Sequence, residues 1–312
     1  MVKLVSLAAR LKDFKISGQT MSWTVSNITA EKRLSVYLYE EVYFSNRLIK
    51  LAKSSDALLT VNGKHRTVRY KITEGDHIAI RFPLEANDTS LKATELPLDI
   101  IYEDDHLMVL NKESGIATVP SVKQRETSLA NGILYYYQLN ELPYTVHIVT
   151  RLDRDTSGLV LVAKHQYAHS LLANLQLTGE INRVYVGLIE GHIPNNAGTI
   201  NYPIGRRVDS IIEREVSKAG QKAITHYKVL EEFEDYSYVQ MTLETGRTHQ
   251  IRVHFSYLGY PLVGDDLYGE TSKYIKRQAL HCKTLTFTHP ITQKKLQIDA
   301  FLPNDFAKLV EK

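Results

Sequence analysis

The sequence predicts a mixed α+β chain in two units, a small one at the N-terminus and a larger one built on a mixed, mostly antiparallel sheet flanked by helices. Three observations predict it. Strand-like and helix-like runs follow each other irregularly, with several strand pairs in succession, which favours α+β over a doubly wound order. A length of 312 residues exceeds what one compact domain usually needs. Residues 84–97 (LEANDTSLKATELP) lose apolar periodicity and collect turn-forming and charged residues, as a linker does. The expected boundaries are 1–85 for the first unit, 86–98 for the linker and 99–312 for the second unit.

In the first unit, residues 58–64 (LLTVNGK) and 70–80 (YKITEGDHIAI) read as short strands punctuated by Asn-Gly and Gly-Asp turns, packed on a helix around Ser45 to Ser54. In the second, Leu107 to Leu110 and Leu159 to Val162 are continuous apolar runs of the kind that form buried central strands. Residues 168–177 read as a helix with Leu171, Leu172 and Leu175 on one face and Gly179 as its stop. Residues 223–230 and 236–243 alternate around an acidic turn, and 280–288 and 295–301 do so around His289-Pro290; each pair reads as a hairpin. Between the hairpins, residues 249–258 read as a helix with Ile251 and Phe255 on one stripe, closed by Gly259 and Pro261.

Composition excludes several classes of protein. Hydrophobic residues at 43% and charged residues at 23% are ordinary globular usage, which argues against global disorder. The single cysteine, Cys282, has no partner for an internal disulfide and cannot build a thiolate cage, which suits a reducing, cytoplasmic setting. The first twenty residues carry charge too early for a signal peptide, and no run reaches the ~20 apolar residues that span a bilayer. A net charge of +3 permits a polyanionic partner without requiring one.

No common metal or nucleotide motif is intact. His165 and His169 are four apart, but Gln166 stands where HExxH needs glutamate. His249 and His254 are five apart and do not share a helix face. No GxxxxGK[ST] or GxGxxG loop follows a strand, so neither a metal nor a nucleotide cofactor is expected. Asp153 and Asp155 as paired carboxylates leave a glycosidase conceivable, yet that chemistry would not explain the block that begins at Glu244.

The richest stretch is Arg151-Leu-Asp-Arg-Asp-Thr-Ser-Gly158, which runs directly into the apolar strand that starts at Leu159. A solvated turn is the plain alternative. A loop anchored by a buried strand, however, holds a carboxylate in fixed geometry, as a free surface loop does not. Further on come Arg183-Val-Tyr185 with Gly187, then residues 244–252 (ETGRTHQIR), Gly259-Tyr-Pro261 and residues 264–269 (GDDLYG). Alternation places Val184, Val186 and Leu188 on one face of their strand and Tyr185 on the other.

In this order the blocks resemble those of the RluA-type RNA pseudouridine synthases, whose signature is HRLDxxTSG with an aspartate nucleophile, followed by TGRTHQIR and GDxxYG. The resemblance covers roughly residues 99–301. It departs at Thr150, where the family usually has histidine; since the histidine is not the nucleophile, altered loop support is expected there rather than loss of activity. The N-terminal unit resembles the S4-type RNA-binding module in its VNGK strand and later GD strand, with the basic helix face reduced to Arg47, Lys50 and Lys53.

The resemblance implies an RNA isomerase that needs no cofactor and acts as a monomer on specific uridines, ribosomal RNA first and transfer RNA second. It implies Asp153, Tyr185 and Arg247 as catalytic residues. Substrate contacts are implied for Arg151, Leu152, Arg154, Thr156, Ser157, Arg183, Thr248, His249, Gln250 and Arg252. Arg247 is expected to pair with Asp153 and keep it ionised, because burial raises a carboxyl pKa and a guanidinium lowers it. Arg151 is expected to intrude into the RNA while Tyr185 stacks on the everted base, with proton abstraction as its second possible role. Clusters at Arg206-Arg207, Lys273 to Arg277 and Lys294-Lys295 are candidates for phosphate contacts. The competing reading is an inactive RNA-binding or ribosome-assembly factor with the same fold.

Overall fold

The structure, a computed structural model, describes residues 11–17, 19–83, 85, 91–121 and 126–311. Residue 84, residues 86–90 of the expected linker, and most of the stretch read against a signal peptide lie outside the described residues.

The N-terminal unit is a five-stranded antiparallel sheet with a short two-stranded one. Its elements are β1 (Leu11–Ser17), β2 (Thr20–Val25), β3 (Lys32–Arg33), α1 (Leu34–Glu40), α2 (Asn46–Ala52), β4 (Leu58–Val61), β5 (Lys64–His65), β6 (Lys71–Ile72) and β7 (His77–Arg81), with the larger sheet ordered β1-β2-β7-β4-β5. Strict alternation in β2, where Met21, Trp23 and Val25 are buried, builds one face of its core. Arg47, Lys50 and Lys53 stand exposed on and just after α2. The strands before residue 58 were not visible in the sequence pattern.

The larger unit carries β8 (Ile100–Glu103), β9 (Leu107–Lys112), α3 (Leu129–Leu139), β10 (His147–Ile148), β11 (Ser157–Ala163), α4 (Gln166–Leu177), β12 (Asn182–Glu190), β13 (Ala197–Asn201), β14 (Ile204–Arg206), β15 (Arg214–Val216), β16 (Ile224–Glu232), β17 (Tyr236–Leu243), α5 (Gln250–Tyr257), β18 (Leu280–Thr288), β19 (Lys295–Asp299) and α6 (Asn304–Val310). Its ten-stranded sheet runs β13-β16-β17-β12-β18-β11-β9-β8, with β10 beside β11 and β19 beside β18. Neighbours are antiparallel except β11 and β18. Both expected hairpins form, as β16–β17 and β18–β19.

The continuous apolar runs are explained by burial on both faces: Leu107 to Leu110 and Leu159 to Ala163 are wholly inaccessible. Each Leu, Val and Met among them contributes about 1.5–3 kcal/mol, which fixes β9 and β11 as the rigid centre of the sheet. Along β12, Tyr185 and Ile189 face the main core while Val186 and Leu188 face a second cluster with Phe306, as the period of two requires. The parallel pairing of β11 with β18 is confined to Ser157↔His281 and Gly158↔Cys282. Only glycine fits there: Gly158 has φ +110, and a Cβ would lie 2.3 Å from the Cys282 carbonyl oxygen.

One expectation changes, and one helix that the sequence reading did not foresee is added. The face assigned to α4 splits between two cores: Tyr167 and Leu171 join the N-terminal cluster, whereas Ala168, Leu172 and Leu175 join the main one. The Tyr167 hydroxyl donates to the Val42 carbonyl at 3.0 Å, so the N-terminal unit is packed on α4. The added helix is α3, which the sequence hid behind Gly132 and a tyrosine run. Its start is fixed by Asn131, whose Oδ1 accepts from the Ser128 backbone N–H at 2.9 Å, and a Cβ on Gly132 would sit 3.0 Å from Leu96. The described end of the linker thus lies packed along α3.

Candidate active site

The loop between β10 and β11 turns its carbonyls inward and one carboxylate outward. The Leu152 carbonyl accepts from Thr118 Oγ1 at 2.7 Å, and the Leu152 N–H donates back to the same hydroxyl at 3.1 Å. Lys112, 1% exposed, donates to the Arg154 carbonyl at 2.9 Å and to those of Ile116 and Glu113 at 2.8 and 2.7 Å. Arg277 reaches the Asp155 carbonyl at 3.3 Å while its other nitrogens hold Asp305. Thr150, the departure from the family pattern, is buried and accepts the Leu161 N–H at 2.9 Å. With the backbone on both sides fixed, the Asp153 carboxylate is left facing a cleft.

Asp153 helps line both a hollow of about 860 Å³, together with Arg151, Thr248 and His249, and a narrower recess shared with Arg183, Tyr185 and Arg247. The cation closest to it is Arg252, with Nη1 3.5 Å from Oδ2. Arg252 is in turn locked by Asp265, whose two oxygens accept from Nε and Nη2 at 2.7 Å. Burial is the largest influence on this guanidinium and opposes its charge, but the hydrogen bonds and charge of Asp265, joined by the charge of Asp153, together hold its pKa above the ordinary arginine value. His249 Nε2 stands 3.9 Å from Asp153 Oδ1.

The expected Asp153–Arg247 pair is therefore corrected. Arg247 lines the recess, but it is exposed and its Nε donates to the Lys222 carbonyl at 3.1 Å. The reason is the corner that follows it: His249 adopts a left-handed φ of 56, which turns the chain so that Arg252, within α5, comes back over Asp153.

Several expected contacts are braces. Gln250 is buried, with Oε1 accepting from the Arg247 N–H and Thr245 Oγ1 and Nε2 donating to the Ile224 carbonyl and Thr225 Oγ1. All four of its ordinary hydrogen-bonding positions are used within the protein. Ser157 is likewise buried against His281, and Thr156 takes a hydrogen bond from Gln278. Leu152 is buried at the cleft wall, Arg154 lies on Asp155, and Arg151 and Thr248 are exposed at the rim. Arg277, expected in a phosphate-binding cluster, points inward and supports the loop.

Tyr185 is 4% exposed and pairs across β18 with Cys282, which also faces Gly158. Burial pushes its phenol well above the usual tyrosine value, against the nearby Arg183. The hydroxyl, 3.3 Å from Arg183 Nη1, therefore keeps its proton, which favours stacking over proton abstraction.

Sequence reasoning missed Lys112 and Thr118, gave Asp265 no role beyond its place in the block at 264–269, and assigned Arg277 to phosphate contact. A lysine ending the buried run Leu107 to Leu110 was the one available signal. Burial pulls its pKa down to about 7, with Asp155 and Asp153 acting the other way. Lys112→Met removes the donors from three inward-facing carbonyls, at about 1 kcal/mol or more each. We expect roughly 3 kcal/mol lost in urea unfolding and a drop in kcat larger than any rise in KM. A variant with wild-type kcat would show that the loop holds Asp153 without this anchor.

The sequence profile of the RNA pseudouridylate synthase family matches residues 106–257. The uncharacterized RNA pseudouridine synthase YjbO of Bacillus subtilis is 48% identical over 271 residues, covering 87% of this chain and 96% of that protein. The ribosomal large subunit pseudouridine synthase D of Vibrio cholerae is 33% identical and covers 99% of this chain and 95% of its own. Among solved structures, human RNA pseudouridylate synthase domain containing 1 aligns with a TM-score of 0.55 at 26% identity, covering 66% of this chain and 84% of that one.

Proposed function

The chain belongs to the RNA pseudouridine synthase family, and we propose that it isomerises uridines of large-subunit ribosomal RNA with Asp153 as the carboxylate that reacts at the ribose. The choice of RNA follows relatives named for the ribosomal large subunit at 33–38% identity. The observation that carries the site is Asp153 itself, whose flanking carbonyls are all engaged by buried donors and whose carboxylate faces the cleft beside Arg252.

The reaction breaks the bond from C1′ to uracil N1, turns the base while it stays bound, joins C1′ to C5, and loses the C5 proton while N1 takes one up. Atoms and electrons balance within the nucleotide. The protein must hold an anion near C1′ and a turning base near the anion. Asp153 supplies the first as nucleophile or as base toward a ribose intermediate, and Tyr185 supplies a face for the second. Everting the uridine costs a few kcal/mol, and Arg151, exposed at the rim, is placed to occupy the gap. Arg47, Lys50 and Lys53 on the S4-like unit offer a second phosphate contact.

Pseudouridine mapping of cellular RNA with and without this gene tests the reading. Loss of large-subunit sites, restored by the wild-type gene and not by Asp153→Asn, is expected. Sites lost only from transfer RNA would overturn the substrate.

A further inference from the structure

His249 occupies the corner where the strand β17 hands over to α5, and its two ring nitrogens face different partners. Nδ1 lies 2.8 Å from the Tyr268 hydroxyl. That hydroxyl oxygen already accepts the Arg214 backbone N–H at 2.8 Å. A phenol has one proton to give, and Nδ1 is the acceptor within its reach among the described residues, so the arrangement favours donation from Tyr268 to Nδ1. Nδ1 therefore accepts, and the neutral imidazole carries its proton on Nε2. Nε2 is the nitrogen that faces Asp153 Oδ1, across 3.9 Å. This distance is too long for a hydrogen bond, so the Nε2–H remains available to a group entering beside the carboxylate. His249 lines both the hollow and the recess.

We propose that His249, fixed as its Nε2–H tautomer by Tyr268, is a catalytic hydrogen-bond donor to a uracil carbonyl oxygen of the everted nucleotide beside Asp153. The inference rests on the uridine-isomerising function proposed above. When the C1′–N1 bond breaks, its electron pair stays with the base and spreads over N1, O2 and O4. A donor already oriented at one of those oxygens stabilises the charge as it forms, without reorganisation. A neutral donor suits the place, because an imidazolium would pair with Asp153 and draw the carboxylate from its work.

The surroundings keep the ring neutral. Burial lowers the His249 pKa; Asp153 and Asp265 act to raise it, and Arg252 and Arg214 to lower it. The hydrogen bond received from Tyr268 also favours the unprotonated ring. Tyr268→Phe removes that bond and should move the acid limb of the kcat profile to higher pH.

Two substitutions separate chemistry from structure. The backbone at His249 is left-handed, with φ 56, which asparagine tolerates and glutamine tolerates less well. Glutamine, however, places an amide N–H near the position of Nε2, and asparagine places one near Nδ1. A purely structural role therefore ranks His249→Asn above His249→Gln. The proposal predicts the reverse for turnover: about a 100-fold loss of kcat in His249→Asn with KM unchanged, and partial recovery in His249→Gln despite a lower melting temperature. Long-range ¹⁵N–¹H correlation of the ring reads the tautomer independently of activity. An Nδ1–H ring in the wild type, or His249→Asn with wild-type kcat, overturns the proposal. A wild type that releases no tritium from 5-tritiated ribosomal RNA while showing the Nε2–H ring would instead sink the proposed function.

Discussion

Replacing Arg252 by methionine is expected to abolish turnover and to destabilise the fold, whereas Arg247→Met is expected to leave the melting temperature unchanged and to act through KM. The asymmetry comes from what each guanidinium touches. Arg252 is 6% exposed and holds Asp265, which is fully buried, through two hydrogen bonds of 2.7 Å. Removing one member of such a pair leaves an uncompensated charge, at about 3–5 kcal/mol. The Leu267 and Tyr268 N–H groups also point at Asp265 Oδ1, so the turn carrying the His249 partner would shift as well.

A double variant, Arg252→Met with Asp265→Asn, distinguishes the two losses. It removes the orphaned charge and should recover part of the stability without recovering turnover, since no guanidinium then stands beside Asp153. Urea midpoints and tritium release measured on the same preparations check both statements. If Arg247→Met loses kcat while Arg252→Met retains it, the charge partner of Asp153 is the one first expected from the sequence.

That exchange of arginines shows where sequence reading stops. Both lie in one contiguous block, residues 244–252, and contiguity made the block legible. Which of the two faces Asp153 depends on the left-handed corner at His249, and no residue spacing encodes its direction. β9 and β11 were legible because burial on both faces leaves an uninterrupted apolar run. Lys112, Thr118 and Arg277 were not, because each reaches the Asp153 loop from a distant part of the chain and meets it only in the folded sheet. α3 was hidden for a local reason: Gly132 and Tyr135 to Tyr137 are weak helix formers, and close packing on Leu96 outweighs that preference. The blocks at 151–158 and 244–252 therefore located the site, while tertiary packing determined which side chains brace it and which face the cleft.

Asp153→Asn is expected to lower turnover at least about 10⁴-fold with the fold intact. The substitution keeps the shape of the side chain and leaves the anchors at Leu152, Arg154 and Asp155 untouched, since these are backbone carbonyls. Arg252 retains Asp265, so no buried cation is orphaned. The ion pair that disappears, between Arg252 and Asp153 at 3.5 Å, is partly exposed and worth at most about 1 kcal/mol. RNA affinity should be equal or tighter, because a negative charge has been taken from a cleft that must accept phosphates. What the variant lacks is an anion beside C1′: an amide neither attacks nor removes a proton there at a useful rate. The measurement is single-turnover tritium release from 5-tritiated RNA, paired with filter binding and thermal unfolding of the same protein. Turnover within tenfold of wild type, at unchanged affinity and melting temperature, would mean that another group performs the chemistry and that the braced loop serves only to shape the cleft.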